Sequence, residues 1–187
     1  MVSQTSSFLG GAVETQSGLA PKDGLSILEA EAATRSFVLQ IVQPALAGLL
    51  DGSVSTLAPL FATAFVTQSS HPALLVGMAA ATGAGISMAF AEALSDNGEL
   101  TGRGNPWLRG AIIGVTTFCG GSLHTLPFLL PDIHLALLAA YLVVAVELVI
   151  IATIRRRYFG THWELSILQV VGSGALVLAA ALIFGHG

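Results

Sequence analysis

The sequence is poor in charged residues. Only 10% of its 187 residues are charged, whereas soluble domains carry about 25%. So few charges cannot cover a surface that faces water, and 53% of the residues are hydrophobic. The composition therefore excludes an ordinary soluble domain and predicts an integral membrane protein in contact with lipid.

Basic residues and cysteine are also scarce. Seven Lys and Arg stand against 11 Asp and Glu, and the net charge of -4 gives no sign of binding to nucleic acid. Cys119 is the only cysteine, which excludes an intrachain disulfide bond. The glycine-rich stretch GRGNPWLRG (102–110) lacks the Lys-Ser or Lys-Thr pair of a phosphate-binding loop, so ATP-driven pumping is unsupported. We expect no enzymatic activity and no permanent cofactor.

Long apolar runs are what the sequence does contain. A helix needs about 20 apolar residues to cross a bilayer. Five runs approach this length: Pro44–Thr67, Pro72–Leu94, Leu108–Leu130, Ile133–Ile154 and Leu165–Phe184. The 21 glycines suit the close packing of such helices. The sequence therefore predicts an all-α membrane protein with five transmembrane helices per protomer.

The chain before the first span divides into two parts. Residues 1–24 are polar and rich in Ser, Gly and Thr, which predicts a disordered tail without the features of a signal peptide. Residues 25–43 place apolar side chains at roughly helical spacing, with acids and Arg35 opposite. This pattern predicts a short amphipathic helix at the membrane interface, followed by the transmembrane domain in residues 44–187.

All seven basic residues fall on one side of the five-span arrangement. Lys22 and Arg35 precede the first span, Arg103 lies between the second and third, Arg109 lies at the border of the third, and Arg155–Arg157 follow the fourth. Because basic residues are enriched in cytoplasmic loops, we expect the N-terminus in the cytoplasm and the C-terminus outside.

Carboxylates interrupt three of the apolar spans. At 1.5 Å per helical residue, Asp51, Glu92, Glu147 and the thioether of Met88 all lie within about 12 Å of the cytoplasmic ends of their spans. We expect no basic residue inside a span to neutralise these acids, so a metal ion or protons must do so. Carboxylate oxygen together with sulfur suits a divalent transition metal better than Mg²⁺ or Ca²⁺. The layer of the membrane in which these four side chains lie is therefore the predicted metal site.

Further polar residues share helix faces with this layer. Ser55 lies one turn after Asp51, and Ser95 extends the face of Met88 and Glu92. The accessory or proton-coupling candidates are Ser55, Ser95, Asp96 and Glu147. Plainer interpretations remain open: Met88 as a packing residue, Glu92 and Asp96 as interfacial residues, and Glu147 as a protonated acid bonded to a neighbouring helix.

Glycines and histidines give weaker signals. Small residues allow close approach of helices, so we expect spans one and two at a homodimer interface. The glycines that motivate this expectation are Gly48, Gly52, Gly83 and Gly85. The sequence places four histidines on or near the outer side: His71, His124, His134 and His186. Solvated interfacial histidines are the plainer interpretation, and an exit site or a proton role is the other.

Two motifs resemble the vacuolar iron transporter family. LAGLLDGSVSTLAPLF (46–61) and GAGISMAFAEALSD (83–96) are similar to its first two spans. Three later stretches resemble its remaining spans: GGSLHTLPFLLP, VELVIIATIRRRYFG and LQVVGSGALVLAAALIFG. The resemblance covers about Val42 to Gly185 and is closest to the bacterial subgroup fused behind a ferritin-like module, which exports iron.

The resemblance implies a homodimer in a bacterial inner membrane and proton-coupled movement of Fe²⁺ out of the cytoplasm. The transported ion is then Fe²⁺, or else Mn²⁺, Co²⁺, Ni²⁺ or Zn²⁺. In the family the pathway lies between the protomers, lined by spans one and two. The resemblance implies that Asp51, Met88 and Glu92 of this chain are the metal ligands on that pathway.

The sequence departs from the family between spans two and three. Many members carry a Glu-rich helical domain there, whereas this chain has only DNGELTGRGNPWLRG (96–110). Only the polar tail precedes Leu25, so we expect either that a separate ferritin-like partner delivers the metal or that this chain is a transporter module whose loading domain was lost or removed. The alternative function is a membrane module that anchors or dimerises such a partner without transport. A proton channel ranks last, because the outer halves of the spans carry no acid except Asp132 at the rim.

Overall fold

The structure is a computed structural model that describes residues 21–95, 97–98 and 101–160, together with residues 164, 168, 172, 174–176, 179, 182 and 183. The helices are α1 (Pro21–Phe37), α2 (Gln43–Thr67), α3 (Ser70–Ala93), α4 (Pro106–Leu123) and α5 (Ile133–Phe159). A π-helical turn, Val38–Val42, joins α1 to α2, and a 3-10 turn, Leu126–Leu129, follows α4. The described residues contain no strand, so the predicted all-helical class is confirmed for them.

The chain separates into two compact units, one ending at Thr34 and one beginning at Arg35. In the first unit, the described residues form helix α1, whose apolar side chains Leu25, Ile27 and Leu28 are exposed. Helix α1 overlaps the helix predicted over residues 25–43 and begins four residues earlier, within the segment predicted as a disordered tail. Its amphipathic placement at a membrane interface stays a prediction.

The core of the second unit lies between α2, α3, α5 and the 3-10 turn. Leu60 and Phe61 of α2 pack in it with the small side chains of Ala73 and Ala140. The ring of Phe61 stacks on Tyr141 of α5 at a centroid distance of 5.0 Å. Other members are Leu57, Ala64, Phe128 and Ala136. Small residues on α3 and α5 thus let the larger side chains of α2 fill the space between them.

Glycines bring α2, α3 and α4 into backbone contact. A Cβ added to Gly48 or Gly52 would collide with backbone atoms of α4. Between α3 and α4, a Cβ on Gly85 would lie 2.9 Å from the carbonyl oxygen of Gly114. Such approaches leave no room for a side chain, which explains why these helices concentrate glycine.

These contacts change the interpretation of the glycines assigned to a homodimer interface. Gly48, Gly52 and Gly85 all pack against α4 within the same chain. A Cβ on Gly83 would meet nothing within 4 Å among the described residues. The homodimer therefore stays a prediction, and three of its four motivating glycines are explained by packing inside the chain.

The substitution Gly52→Ala should lower stability, because the new methyl group would meet the backbone of Thr117 in α4. Overpacking typically costs about 1–3 kcal/mol, and a backbone obstacle places this variant at the upper end. The matched control is Gly83→Ala, which faces open space and replaces glycine by a better helix former. Thermal unfolding in detergent should give a much lower midpoint for Gly52→Ala only, and equal midpoints would contradict this packing.

Three helical stretches among the described residues are long and apolar enough to cross a membrane: Gly24–Thr67, Ser70–Ala93 and Ile133–Phe159. The first of them runs through α1, the π-helical turn and α2. The three stretches contain the predicted first, second and fourth spans. The predicted third span corresponds to α4 and the 3-10 turn, and α4 is shorter, with Arg109 in its first turn. The predicted fifth span, Leu165–Phe184, falls largely outside the described residues. Five spans and their orientation remain predictions.

Candidate functional site

Asp51 and Met88 are both half-buried, on α2 and α3 respectively. In the described part of the chain, no hydrogen bond or ion pair holds the Asp51 carboxylate. The described residues contain no group of three or more His, Cys, Asp or Glu side chains arranged to hold a metal ion. A metal site at Asp51 and Met88 therefore needs ligands beyond the acids and histidines described in one chain.

Glu92, the third predicted ligand, is bonded to two arginines. Its Oε1 accepts hydrogen bonds from Nη2 of Arg103 at 2.8 Å and from Nε of Arg109 at 2.7 Å. The side chain of Arg109 is 0% exposed, and that of Glu92 is 14% exposed. The expectation that no basic residue neutralises the acids is therefore wrong for Glu92. A metal ion that binds Glu92 has to compete with both guanidinium groups.

The segment between α3 and α4 explains how these arginines reach Glu92. Gly98 and Gly104 have φ values of 77° and 71°, which glycine adopts easily and other residues rarely do. The carbonyl oxygen of Gly104 accepts from Nη1 of Arg109 at 3.3 Å. Asn105 then caps α4, because its Oδ1 accepts from the backbone N–H of Trp107 at 2.9 Å. The turn thus fixes the start of α4 and directs Arg109 back towards α3.

Glu147 lies in a second polar cluster, which the sequence analysis did not identify. Its Oε2 is 3.0 Å from Nδ1 of His124, whose Nε2 is 2.7 Å from Oγ1 of Thr56. His124 and Thr56 are 0% exposed, and Glu147 is 4% exposed. The interpretation of Glu147 as an acid bonded to a neighbouring segment fits this geometry. The three residues come from α2, the end of α4 and the middle of α5.

The placement of His124 corrects the sequence prediction. The solvated interfacial interpretation is wrong for it, because its side chain is fully buried. His71 and His134 are exposed, and His186 lies outside the described residues. One sequence feature could have predicted this contact: a histidine lies in one apolar run and Glu147 lies in another. Because each buried polar group needs a partner, the two could have been paired.

Among the described residues, neither accessory serine has a hydrogen bond to a carboxylate. Ser55 is exposed on α2. Ser95 is also exposed, and its hydroxyl donates to the backbone carbonyl of Glu92 at 2.8 Å rather than to the side chain. Asp96 lies outside the described residues. Ser55 and Ser95 therefore gain no support as ligands from the contacts of the described chain.

Comparison with known protein families identifies a match over the second half of the chain. The VIT family model matches residues 92–186, which is just over half of the 187 residues. The matched segment contains Glu92, Arg109 and the His124–Glu147 pair, whereas Asp51 and Met88 precede it. Neither a curated protein nor a solved structure matches the chain.

Proposed function

The chain belongs to the VIT family, the family of vacuolar iron transporters, and on this premise we propose that it exports a divalent transition metal from the cytoplasm in exchange for protons. Members of this family are metal transporters, and three apolar helices suit a membrane protein. The proposed cargo is Fe²⁺ or Mn²⁺, and the proposed location is a bacterial inner membrane.

The observation that carries this proposal is Asp51 itself. Its carboxylate is half-buried in an apolar helix and has no hydrogen-bond or ion-pair partner in the described part of the chain. A carboxylate inside a membrane is costly unless a cation, a proton or water accompanies it. In a family of metal transporters, a passing metal ion is the natural companion. Met88 supplies a sulfur atom suited to transition metals.

A homodimer would supply the missing ligands. One chain offers Asp51 and Met88 without a further described acid or histidine that completes a metal group. A second copy would double both donors if the helices that carry them faced each other. The exposed apolar side chains of α3, such as Ile86 and Phe90, give that helix a surface for either lipid or a second copy.

The proposed function is tested by metal flux into proteoliposomes. Purified protein is reconstituted with a metal-sensitive dye inside, and Mn²⁺, Co²⁺, Ni²⁺, Zn²⁺ or Fe²⁺ with a reductant is added outside. In some of the reconstituted molecules, the cytoplasmic side faces the outside of the vesicle. For these molecules, protons that leave an acidic interior should drive metal into the vesicle, so an acidic interior should accelerate metal entry. No metal entry above protein-free liposomes for any ion would contradict transport and favour the anchoring alternative.

Met88→Leu should change metal preference without unfolding the protein. Leucine keeps the apolar volume of methionine and removes only the sulfur atom, and such swaps usually cost less than about 1.5 kcal/mol. Flux of the softer ions should fall relative to that of Mn²⁺, which prefers oxygen ligands. Met78→Leu is the matched control, since Met78 is also half-buried on α3 and lies farther from Glu92. Identical metal rankings for the two variants and the wild type would exclude Met88 as a ligand.

A further inference from the structure

The hydrogen-bond directions in the Thr56–His124–Glu147 cluster define its protonation. The Thr56 hydroxyl has one hydrogen, and it donates this to the carbonyl of Gly52 at 2.8 Å. Towards His124, Oγ1 of Thr56 must therefore accept, so Nε2 of His124 carries a hydrogen. Nδ1 of His124 and Oε2 of Glu147, 3.0 Å apart, then need one further proton between them.

That shared proton decides the charge of the cluster. With it, His124 and Glu147 form either an imidazolium and a carboxylate or an imidazole and a carboxylic acid, and the net charge is zero. Without it, either two lone pairs face each other, or the imidazole hydrogen moves to Nδ1 and the Thr56 hydroxyl donates to Nε2 instead of to Gly52. In both cases a net charge of -1 stays buried. Oε1 of Glu147 is buried without a hydrogen-bond partner in the described part of the chain, so no donor there stabilises that charge. Loss of the proton is therefore costly unless a cation approaches.

The charged groups on the surrounding elements do not supply that cation. On α3, His71 is exposed and Glu92 is held by Arg103 and Arg109. On α4, Arg109 is bonded to Glu92, and Cys119 is exposed. The 3-10 turn Leu126–Leu129 has no titratable group. The remaining titratable or charged groups are Asp51 on α2, and His134, Tyr141, Arg155–Arg157 and Tyr158 on α5. Among the described residues, none of these groups has a hydrogen bond or an ion pair with His124 or Glu147.

The cluster is joined to Asp51 through a single turn of α2. Gly52, which follows Asp51, accepts the Thr56 hydroxyl, and Thr56 lies about 7.5 Å further along the helix than Asp51. The side chains of Asp51 and Thr56 leave α2 about 140° apart, so a cation on Asp51 lies further than about 7.5 Å from the His124–Glu147 pair. Charges still interact over such distances in a medium of low dielectric constant, and a divalent cation on Asp51 would stabilise the negative charge of the deprotonated pair. By linkage, a proton on the pair must weaken metal binding at Asp51 to the same extent.

From this geometry we propose that the His124–Glu147 pair is the proton-carrying site of the transporter, with Thr56 as its positioning residue. The inference rests on the proposed transport function and deepens it. The pair holds one shared proton when Asp51 is empty. Metal arriving from the cytoplasm displaces that proton to the cytoplasmic side, and a proton from the outer side returns to the pair after the metal leaves. One proton then moves inward for each metal ion that moves outward, with no change of oxidation state.

The test compares proton coupling with metal movement in Glu147→Gln and His124→Gln. Both variants should still carry metal down its own concentration gradient. The acceleration by an acidic vesicle interior should fall from several-fold in the wild type to none. Metal binding to the detergent-purified variants, followed with a pH dye in weak buffer, should release one proton fewer per ion. The matched control is His134→Gln, an exposed histidine at the start of α5, which should behave like the wild type.

Thr56 provides a second, conservative comparison. Thr56→Ser keeps the acceptor for Nε2 of His124 and should retain the response to the pH gradient. Thr56→Val removes that acceptor and should shift the pH profile of metal flux. Full acceleration by the gradient in Glu147→Gln and His124→Gln would overturn the assignment of the pair. Absence of metal flux in the wild type would instead overturn transport, so the two failures are distinguishable.

A measurement on the wild-type protein tests the proposal even if the variants do not fold. The histidine ring nitrogens are labelled with ¹⁵N, and nuclear magnetic resonance spectra are compared for the metal-free and the Zn²⁺-bound protein. Zn²⁺ replaces Mn²⁺ here because it is diamagnetic. On Zn²⁺ binding, one buried histidine should change its protonation or its hydrogen bond. An unchanged spectrum for every histidine on Zn²⁺ binding would overturn the proposal.

Discussion

The substitution Asp51→Asn should abolish metal flux and leave the protein folded. Asparagine has nearly the size of aspartate but carries no charge, so it cannot neutralise a divalent cation inside the membrane. Even residues that only orient a metal ligand typically contribute roughly 10–100-fold to metal affinity, and a direct carboxylate ligand should contribute at least that much. Because Asp51 has no hydrogen-bond or ion-pair partner among the described residues, its replacement breaks no such contact there.

The measurement is metal flux into proteoliposomes, with thermal unfolding in detergent as the check on folding. Asp132→Asn is the matched control, since it makes the same chemical change at an exposed position. Asp132 caps α5 by accepting from the backbone N–H of His134 at 2.8 Å, and asparagine caps helices equally well. Asp132→Asn should therefore transport normally. Undiminished flux in Asp51→Asn would refute the metal site.

The second large effect is expected for Glu92→Gln, which should destabilise the protein itself. The change removes a carboxylate partner from the guanidinium of Arg109, which is 0% exposed. Breaking a buried ion pair by removing one partner costs about 3–5 kcal/mol. Arg103→Gln should cost less, because Arg103 is 24% exposed and leaves the Arg109–Glu92 bond in place.

A double-mutant cycle separates this structural role from a ligand role. If the ion pair dominates, Arg109→Gln should be nearly as destabilising as Glu92→Gln, and the double variant should lose far less than the sum. If Glu92 serves only as a metal ligand, Glu92→Gln should keep the unfolding midpoint and lose metal binding. Unfolding midpoints with and without metal, measured for the four proteins of the cycle, distinguish these results.

The helices that the sequence predicts well are those formed by unbroken apolar runs. The predicted bounds Pro44–Thr67 and Pro72–Leu94 lie within two residues of the ends of α2 and α3. The third predicted span fails as one continuous helix, because α4 ends at Leu123 and a separate 3-10 turn follows. The family resemblance is confirmed by the family match, while the closer likeness to the ferritin-fused subgroup stays a prediction.

The polar contacts could not be predicted in the same way. Hydropathy assigns a depth to each residue separately, and it placed His124 near the outer surface and Arg109 at the border of a span. The contacts of His124 depend on how α2, α4 and α5 cross, which depends on glycine contacts between helices. Those of Glu92 depend on the left-handed backbone of Gly98 and Gly104. Both are tertiary effects that one-dimensional patterns do not contain.

The glycine contacts also restrict how α2, α3 and α4 can move relative to one another. Backbone atoms of α2 and α4 meet beside Gly48 and Gly52, and those of α3 and α4 meet beside Gly85 and Gly114. Surfaces that interlock this closely resist sliding, because every displacement forces backbone into backbone. We therefore expect the three helices to move as one rigid body. In the proposed transporter, opening and closing of a metal pathway should then arise at the borders of this body, through rotation against α5 or against another copy of the chain.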